Sequence, residues 1–436
     1  MTGSATIASV KGREVLDSRG NPTVEAEVRL SNGVRAHALV PSGASTGTYE
    51  ALELRDQDPQ RFKGSGVLKA VANIDNTIGP ALVGMSPLDQ AAIDQKLIEL
   101  DGTPDKSSLG ANAILAVSMA NAHAAASMGS YQGALWRHLA RGGPVSLPVP
   151  MLNILNGGRH ASNSADIQEF MILPAGLDTF AQALRAGAEI YQSLKGLLRD
   201  QGQNLNVGDE GGFAPTLPSN RDAIEIVVKA VEAAGYRPGR DVYLGLDVAA
   251  SELFSEDQGK YVLEREGTAL TATELVELYR RWTSEYPIIS IEDGLDENDW
   301  EGWVELRRQL GGSVQLVGDD LLVTNITRIQ RGVDSASANA VLLKPNQIGT
   351  LTETLQALQM ARKAGWGAVM SHRSGETEDT TIADLAVGWN VAQIKTGAPA
   401  RSERVAKYNR LLRIEAELGQ EARYAGKKTY EYIRLP

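Results

Sequence analysis

The chain has no cysteine in 436 residues. That excludes a disulfide framework and any thiolate metal site, and it leads to the expectation of a reducing, cytoplasmic setting. Histidine is scarce too, at five residues, so a zinc or iron centre is poorly supplied with ligands. No uncharged apolar run reaches about 18 residues, the length a membrane span needs. The nearest stretch, Ala113 to Met128, contains Asn121 and His123 and is mostly alanine, which reads as a packed helix. The opening MTGSATIASV lacks the basic segment and apolar core of a signal peptide. There is no basic stripe, and a formal net charge of -11 opposes attachment to nucleic acid or anionic membrane. Small molecules are the expected partners.

Hydrophobic residues at 42% and charged residues at 22% supply an ordinary globular core. The length exceeds one compact core and predicts a barrel plus a further domain. Residues 5 to 40 alternate like antiparallel strands, with Ser31 to Gly33 as a hairpin turn. Residues 66 to 140 switch to helical periodicity. These segments predict an α+β N-terminal domain over residues 1–140. The Gly- and Pro-rich stretch Arg141 to Pro150 is the expected linker, and a barrel follows over 145–436.

Within that second part, seven short apolar runs each close on one ionisable residue: Glu210, Asp247, Glu292, Asp319, Lys344, His372 and Lys395. Several lead into amphipathic stretches, the pattern of a parallel α/β barrel whose catalytic side chains gather at the C-terminal ends of its strands. PMLNILNGG and DIQEFMILPAG read as two strands before the first helix, Thr179 to Asp200, so a β-β-α opening is expected.

Asp247, Glu292 and Asp319 on consecutive strand ends suit a hard divalent cation such as Mg²⁺, although strand-end acids also cap helices or pair with basic residues. Lys344 and Lys395 would share the mouth with that cation, which predicts a lowered lysine pKa and a base. Glu169, in DIQEFM, and Glu210, in GDEGGFAP, add two acids. A carboxyl buried among others keeps its proton and can act as a general acid, whereas Glu169 also reads as a strand-end ion pair. His160 beside Arg159, and His372 beside Arg373, lie in Gly- and Ser-rich loops suited to anions. His37, His123 and His138 read as structural. The segment Pro41 to Glu50, PSGASTGTYE, is a small-residue loop able to order over a ligand.

DSRGNPTVE (17–25), PSGASTG (41–47), NGGRHASN (156–163), DIQEFM (166–171) and GDEGGFAP (208–215) occur in order with LDVAASE (246–252), SIEDG (290–294), VGDDL (317–321), LLKPNQIGT (342–350), SHRSGETED (371–379) and QIKTGAP (393–399). This set, spread over essentially the whole chain, resembles the enolase family in its bacterial form. The resemblance implies an α+β N-terminal domain followed by a TIM-like β-β-α-α-(β/α)6 barrel. It implies reversible dehydration of 2-phosphoglycerate to phosphoenolpyruvate with two Mg²⁺ per site. Asp247, Glu292 and Asp319 would hold the first ion. Ser42, on the mobile loop 41–50, would join the second when substrate binds. Lys344 would be the base and Glu210 the acid, with Glu169 close by. Lys395 would meet the substrate carboxylate, and Arg373, Ser374 and His160 its phosphate, with His372 beside them.

Arg159, His37 and Leu39 depart from the expected pattern and bear on loop closure. The resemblance further implies a homodimer or an octamer, and raises second roles with protein partners at the cell surface or outside the cell. The ending YIRLP lacks the terminal lysine of one familiar route to such partners. Two readings compete with the hydratase: a superfamily relative abstracting a proton beside a different carboxylate, and a scaffold. The phosphate-directed segments and the filled catalytic positions favour the hydratase over both.

Overall fold

The computed structural model describes residues 5–43, 47–128, 131–158, 161 and 164–435. Strands β1 (Ile7–Leu16), β2 (Pro22–Leu30) and β3 (Arg35–Leu39) form an antiparallel meander. The turn between β2 and β3 uses Gly33 at φ 88°, a conformation most side chains resist. Val24, Ala26, Val28 and Leu30 of β2 point inward and are buried, as a period of two requires. His37 is exposed on β3, while Leu39 is buried and donates its N–H to Asp379.

The alanine-rich helix Ala111–Ala126 is buried on nearly every face. It packs against β2 and β3 on one side and meets the barrel on the other, where Ser118 accepts the N–H of Leu351 and His123 lies 2.9 Å from Thr381. Small side chains let the two bodies approach closely. Lys106 adds an ion pair to Glu353 at 2.9 Å.

The second body contains β4 (Val149–Asn156), β5 (Glu169–Leu173), β6 (Tyr243–Asp247), β7 (Phe254–Ser255), β8 (Lys260–Leu263), β9 (Thr268–Leu270) and β10 (Ile288–Glu292). It continues with β11 (Gln315–Gly318), β12 (Ala340–Leu343), β13 (Gly367–Ser371) and β14 (Gln393–Lys395). Eight of these close a barrel in the order β10-β11-β12-β13-β14-β4-β5-β6. Strand β5 is antiparallel to β4 and β6, and the remaining neighbours are parallel. Helices Phe180–Asp200 and Asn220–Ala233 follow β5 before the first of six β/α units, so the barrel has the expected β-β-α-α-(β/α)6 order. The small sheet β7-β8-β9 is inserted after β6 and was not foreseen.

Within the barrel, Met151, Met171, Tyr243, Ile289 and Val369 form an apolar filling, closed by Tyr430 and Ile433 of the C-terminal tail. At the end where β11 and β14 begin, the polar groups of the filling are neutral ones that satisfy each other, Gln315 with Ser290, Gln393 and Tyr432, while the buried charged residues of the barrel strands stand at the other end. Among the described residues, no helix is long and apolar enough to cross a membrane.

One expectation needs correcting. The run NLNVGDE, ending at Glu210, is not a barrel strand but part of the connection between Phe180–Asp200 and Asn220–Ala233. β5 pairs directly with β6 and the eight strands close on themselves, so the run finds no free strand edge in the barrel. Isolated bridges from Val207 to Phe213 and from Phe213 to Leu155 hold it instead.

Candidate active site

Parallel strands deliver their last residues to the same rim. Asp247 ends β6 and Glu292 ends β10, and the two are direct neighbours in register. Lys395 ends β14, while Asp319, Lys344 and His372 each stand one residue beyond their strands. Because β5 runs the other way, its first residue, Glu169, lies at this rim, paired with Asp247.

The Lys395 ammonium is the centre of the arrangement. Its Nζ lies 2.7 Å from Glu292 Oε1, 2.8 Å from Asp247 Oδ2 and 3.3 Å from Glu169 Oε1. All four residues are buried, Glu292 completely. Burial pushes the lysine's pKa down, but the carboxylates of Asp247, Glu169 and Glu292 outweigh that effect and raise it well above the ordinary value. Glu169 and Glu292 are themselves pushed up, by burial first and then by neighbouring acids.

Lys344 Nζ bonds to Asp319 Oδ2, and Gln347 Nε2 donates to Asp319 Oδ1 at 2.8 Å. The lowered lysine pKa expected from the sequence is that of a lysine beside a divalent cation, and the protein's own side chains set a different balance. Burial does push downward, but the adjacent Asp319 carboxylate reverses it and the Lys344 pKa is raised. Asp319 is lowered, because Lys344 overcomes the opposing effect of burial.

These acids provide a donor set of hard oxygens suited to a divalent cation. The carboxylates of Asp247 and Glu292 already converge on a cationic nitrogen, and Glu292 Oε2 is buried with no hydrogen-bond partner among the described residues. A second grouping, Asp293, Asp319 and Asp320, has ligand atoms within 4.8 Å of one another. In that group both oxygens of Asp293 are already committed, accepting the backbone N–H groups of Asp319 at 2.9 Å and Asp320 at 2.8 Å. Asp293 is thus better placed to fix the Asp319 turn than to bind an ion.

Glu210 enters from its loop and faces a different set of groups. Ser374 Oγ donates to its Oε1 and Asn153 Nδ2 to its Oε2, both at 3.2 Å. His372 Nε2 lies 3.4 Å from Oε2. Burial, opposed by Glu210 and reinforced by Arg404, lowers His372 to about 4, so this imidazole is neutral. Arg373 makes a two-pronged pair with Glu50, at 2.8 and 3.1 Å. Glu210, Lys344, Lys395, His372, Arg373 and Ser374 line one narrow cavity of about 40 Å³, beside a wider cleft of about 660 Å³ between Ser164, Asp166 and Gln168 on one side and the β7-β8-β9 insertion on the other.

Ser42 is buried apart from this cavity. Its Oγ donates to Asp17 at 2.8 Å and accepts from Arg19 at 3.0 Å, and its backbone pairs both ways with Gly375. His160 and Arg159 lie outside the described residues. Sequence reasoning missed Glu50, Asn153, Gln347, Asp293 and Arg404. Glu50 closes the small-residue loop already singled out, and Asp293 and Gln347 lie inside SIEDG and LLKPNQIGT, whereas Asn153 and Arg404 carry no local signal.

Two family models account for nearly the whole chain. "Enolase, N-terminal domain" matches residues 7–139, and "Enolase, C-terminal TIM barrel domain" matches residues 144–433. With the meander, the barrel and its acid-lined rim in the same order, the chain belongs to the enolase family.

Proposed function

We propose that the chain is a glycolytic enolase, a hydro-lyase that reversibly dehydrates 2-phospho-D-glycerate to phosphoenolpyruvate in a Mg²⁺-dependent reaction. The observation carrying this reading is that Lys344 and Glu210 line the same buried cavity, which also presents Lys395, Arg373 and Ser374 to an anionic substrate.

The difficulty of the reaction is the weakly acidic C2 proton, because its removal adds negative charge beside an existing carboxylate. Lys344 Nζ, in its neutral form, takes that proton. The electron pair left on C2 forms the enediolate and then the C2–C3 double bond as the C3–O bond breaks. Glu210 gives its proton to the departing hydroxyl, releasing water, and Glu169 stays close by. Two separate groups are needed because one removes a proton from carbon while the other delivers one to oxygen. Lys395 contributes its charge to the substrate carboxylate as the enediolate develops. Arg373, Ser374 and His160 orient the phosphate side, with His372 beside them.

Asp247, Glu292 and Asp319 would hold the first Mg²⁺. When bound, Mg²⁺ supplies electrostatic stabilisation of the extra negative charge. Sharing Asp319 with such an ion would also weaken the contact that raises Lys344, favouring the neutral amine. Ser42 would serve a second ion recruited with substrate, after giving up its bond to Asp17. A cytoplasmic homodimer or octamer fits this role and is tested by light scattering after size exclusion. Second binding roles at the cell surface are tested by pull-down with a catalytically dead variant.

The direct test follows phosphoenolpyruvate absorbance with 2-phosphoglycerate and Mg²⁺. Turnover that stops on chelation is expected. Absence of turnover, with dehydration or racemisation of an unphosphorylated acid instead, would replace this reading with another superfamily activity.

A further inference from the structure

Arg404 lies in the first turn of the helix Ser402–Leu418, within the charged run RSERVAK, yet it is completely buried. Its side chain crosses Gly397, where an added Cβ would lie only 2.9 Å from Arg404 Cδ. Beyond that glycine the guanidinium reaches two loops. NH1 donates to His372 Nδ1 at 2.6 Å and to the carbonyl of Arg373. NH2 donates to the carbonyl of Ser374 and to that of Asp209 at 3.0 Å. The nearest carboxylate recorded for it among the described residues is Glu403, 3.6 Å from Nε. A fully buried cation held mainly by neutral acceptors is a costly arrangement for packing alone.

Chemistry decides the protonation of its partner. A guanidinium has five N–H groups, no acceptor, and does not lose its charge in proteins. The imidazole nitrogen facing it must therefore offer a lone pair, which leaves the His372 proton on Nε2, a buried nitrogen that has no hydrogen bond among the described residues and lies 3.4 Å from Glu210 Oε2. Adding a second proton would set Nδ1–H against a guanidinium N–H. The charged groups around His372 are Glu210 from the 204–215 connection, Arg404 from the C-terminal helix and Glu376 from its own loop.

We propose that Arg404 is a positioning residue for the elimination: it holds His372 as the neutral Nε2–H tautomer directed at Glu210, and it ties the Glu210 loop to the 372–374 loop. This deepens the reading of Glu210 as the acid and rests on it. A neutral imidazole cannot compete to protonate the leaving hydroxyl, but its Nε2–H, once the 3.4 Å gap to Glu210 shortens, is the donor that keeps that carboxyl aimed.

Two measurements test this. Long-range ¹H–¹⁵N NMR of the wild-type protein, with the His372 signals assigned by their loss in His372→Gln, should show a single Nε2–H tautomer that does not titrate from about pH 8 to about pH 5. An Nδ1–H tautomer, a mixture or a titration in that range would overturn the proposal. Folded Arg404→Gln should lose roughly 100-fold in kcat, as for a misplaced catalytic group. It should gain a His372 titration visible both in the spectrum and in the pH–kcat profile, and guanidinium ions should partly rescue Arg404→Ala. A folded variant that loses activity with the His372 tautomer and titration unchanged would make Arg404 merely structural. If neither variant folds, the wild-type spectrum decides. Because that spectrum needs no substrate, a protein that fails to turn over 2-phosphoglycerate would refute the proposed activity while leaving the tautomer test intact.

Discussion

Replacing Lys395 with methionine should make the metal-free protein less stable, tighten its hold on Mg²⁺ and nearly abolish turnover. Lys395 Nζ is in contact with Asp247, Glu292 and Glu169 at 2.7 to 3.3 Å, all of them buried. Unit charges about 4 Å apart at an effective dielectric of about 20 attract by about 4 kcal/mol, before desolvation takes much of it back. Breaking a buried pair by removing one partner costs about 3–5 kcal/mol, because the other charge is left uncompensated. The entropy of unfolding scaled to 436 residues converts this loss into a calorimetric Tm drop of about 3–5 °C. A divalent ion on the same acids restores the compensation, and at about 100 times its Kd contributes about 2.7 kcal/mol. Removing the competing ammonium should therefore raise Mg²⁺ affinity by titration calorimetry, even as kcat falls by about 10² or more through loss of charge stabilisation. Affinity that falls or stays unchanged, with a Tm drop equally large at saturating Mg²⁺, would refute the placing of the ion on Asp247 and Glu292. An unchanged Tm in the metal-free protein would refute the electrostatic account of Lys395 itself.

Lys344→Ala should abolish exchange of the C2 proton with solvent while leaving Mg²⁺ binding measurable; persistent exchange would remove Lys344 as the base. His372 has a folded pKa of about 4 against an ordinary 6.5, so as pH falls the unfolded chain takes up the proton first. Its stabilising contribution is complete above about pH 6.5 and declines as pH falls to about 4, by about 3 kcal/mol in total. Denaturant melts of His372→Gln should lack that component, and an unchanged pH dependence would contradict the buried neutral imidazole. Asp293→Asn leaves one acceptor for two backbone donors, costing about 1–3 kcal/mol. It should also weaken Mg²⁺ binding through Asp319, and unaltered binding would show that Asp293 does not fix that turn.

The parts of the site legible in the sequence are those fixed by strand periodicity. Asp247, Glu292 and Lys395 end apolar strands, and a parallel barrel leaves such residues nowhere to go but the rim. Glu169 is at the rim for a reason the motif does not show: β5 is antiparallel, so its first residue takes the place occupied on the other strands by the last. Glu210 was legible as chemistry but misread as structure, since a short alternating run looks the same in a loop as in a strand. Arg404 was not legible. In RSERVAKYNR it resembles a solvated helix face, and only contacts made about 30 or about 200 residues away, with His372 and Asp209, turn it inward, where tertiary packing overrides local pattern.

Those long-range contacts also explain how so much charge remains buried in one place. Lys395 answers Asp247, Glu292 and Glu169; Lys344 answers Asp319; Arg373 answers Glu50. In each set the partners come from different strands or from the two bodies of the molecule, and where one ammonium faces three acids, at Lys395, burial and the excess acids push Glu169 and Glu292 up toward their protonated forms. A substrate with a carboxylate and a phosphate, arriving with a divalent cation, can enter such a site by exchanging partners. Its anionic ends take the lysines and Arg373 while the cation takes the released acids, and the net buried charge changes little. Arg404 stands apart from these exchanges because it is held by carbonyls and His372. It can therefore keep its place while the pairs around it change, as a fixed point between the Glu210 and His372 loops must.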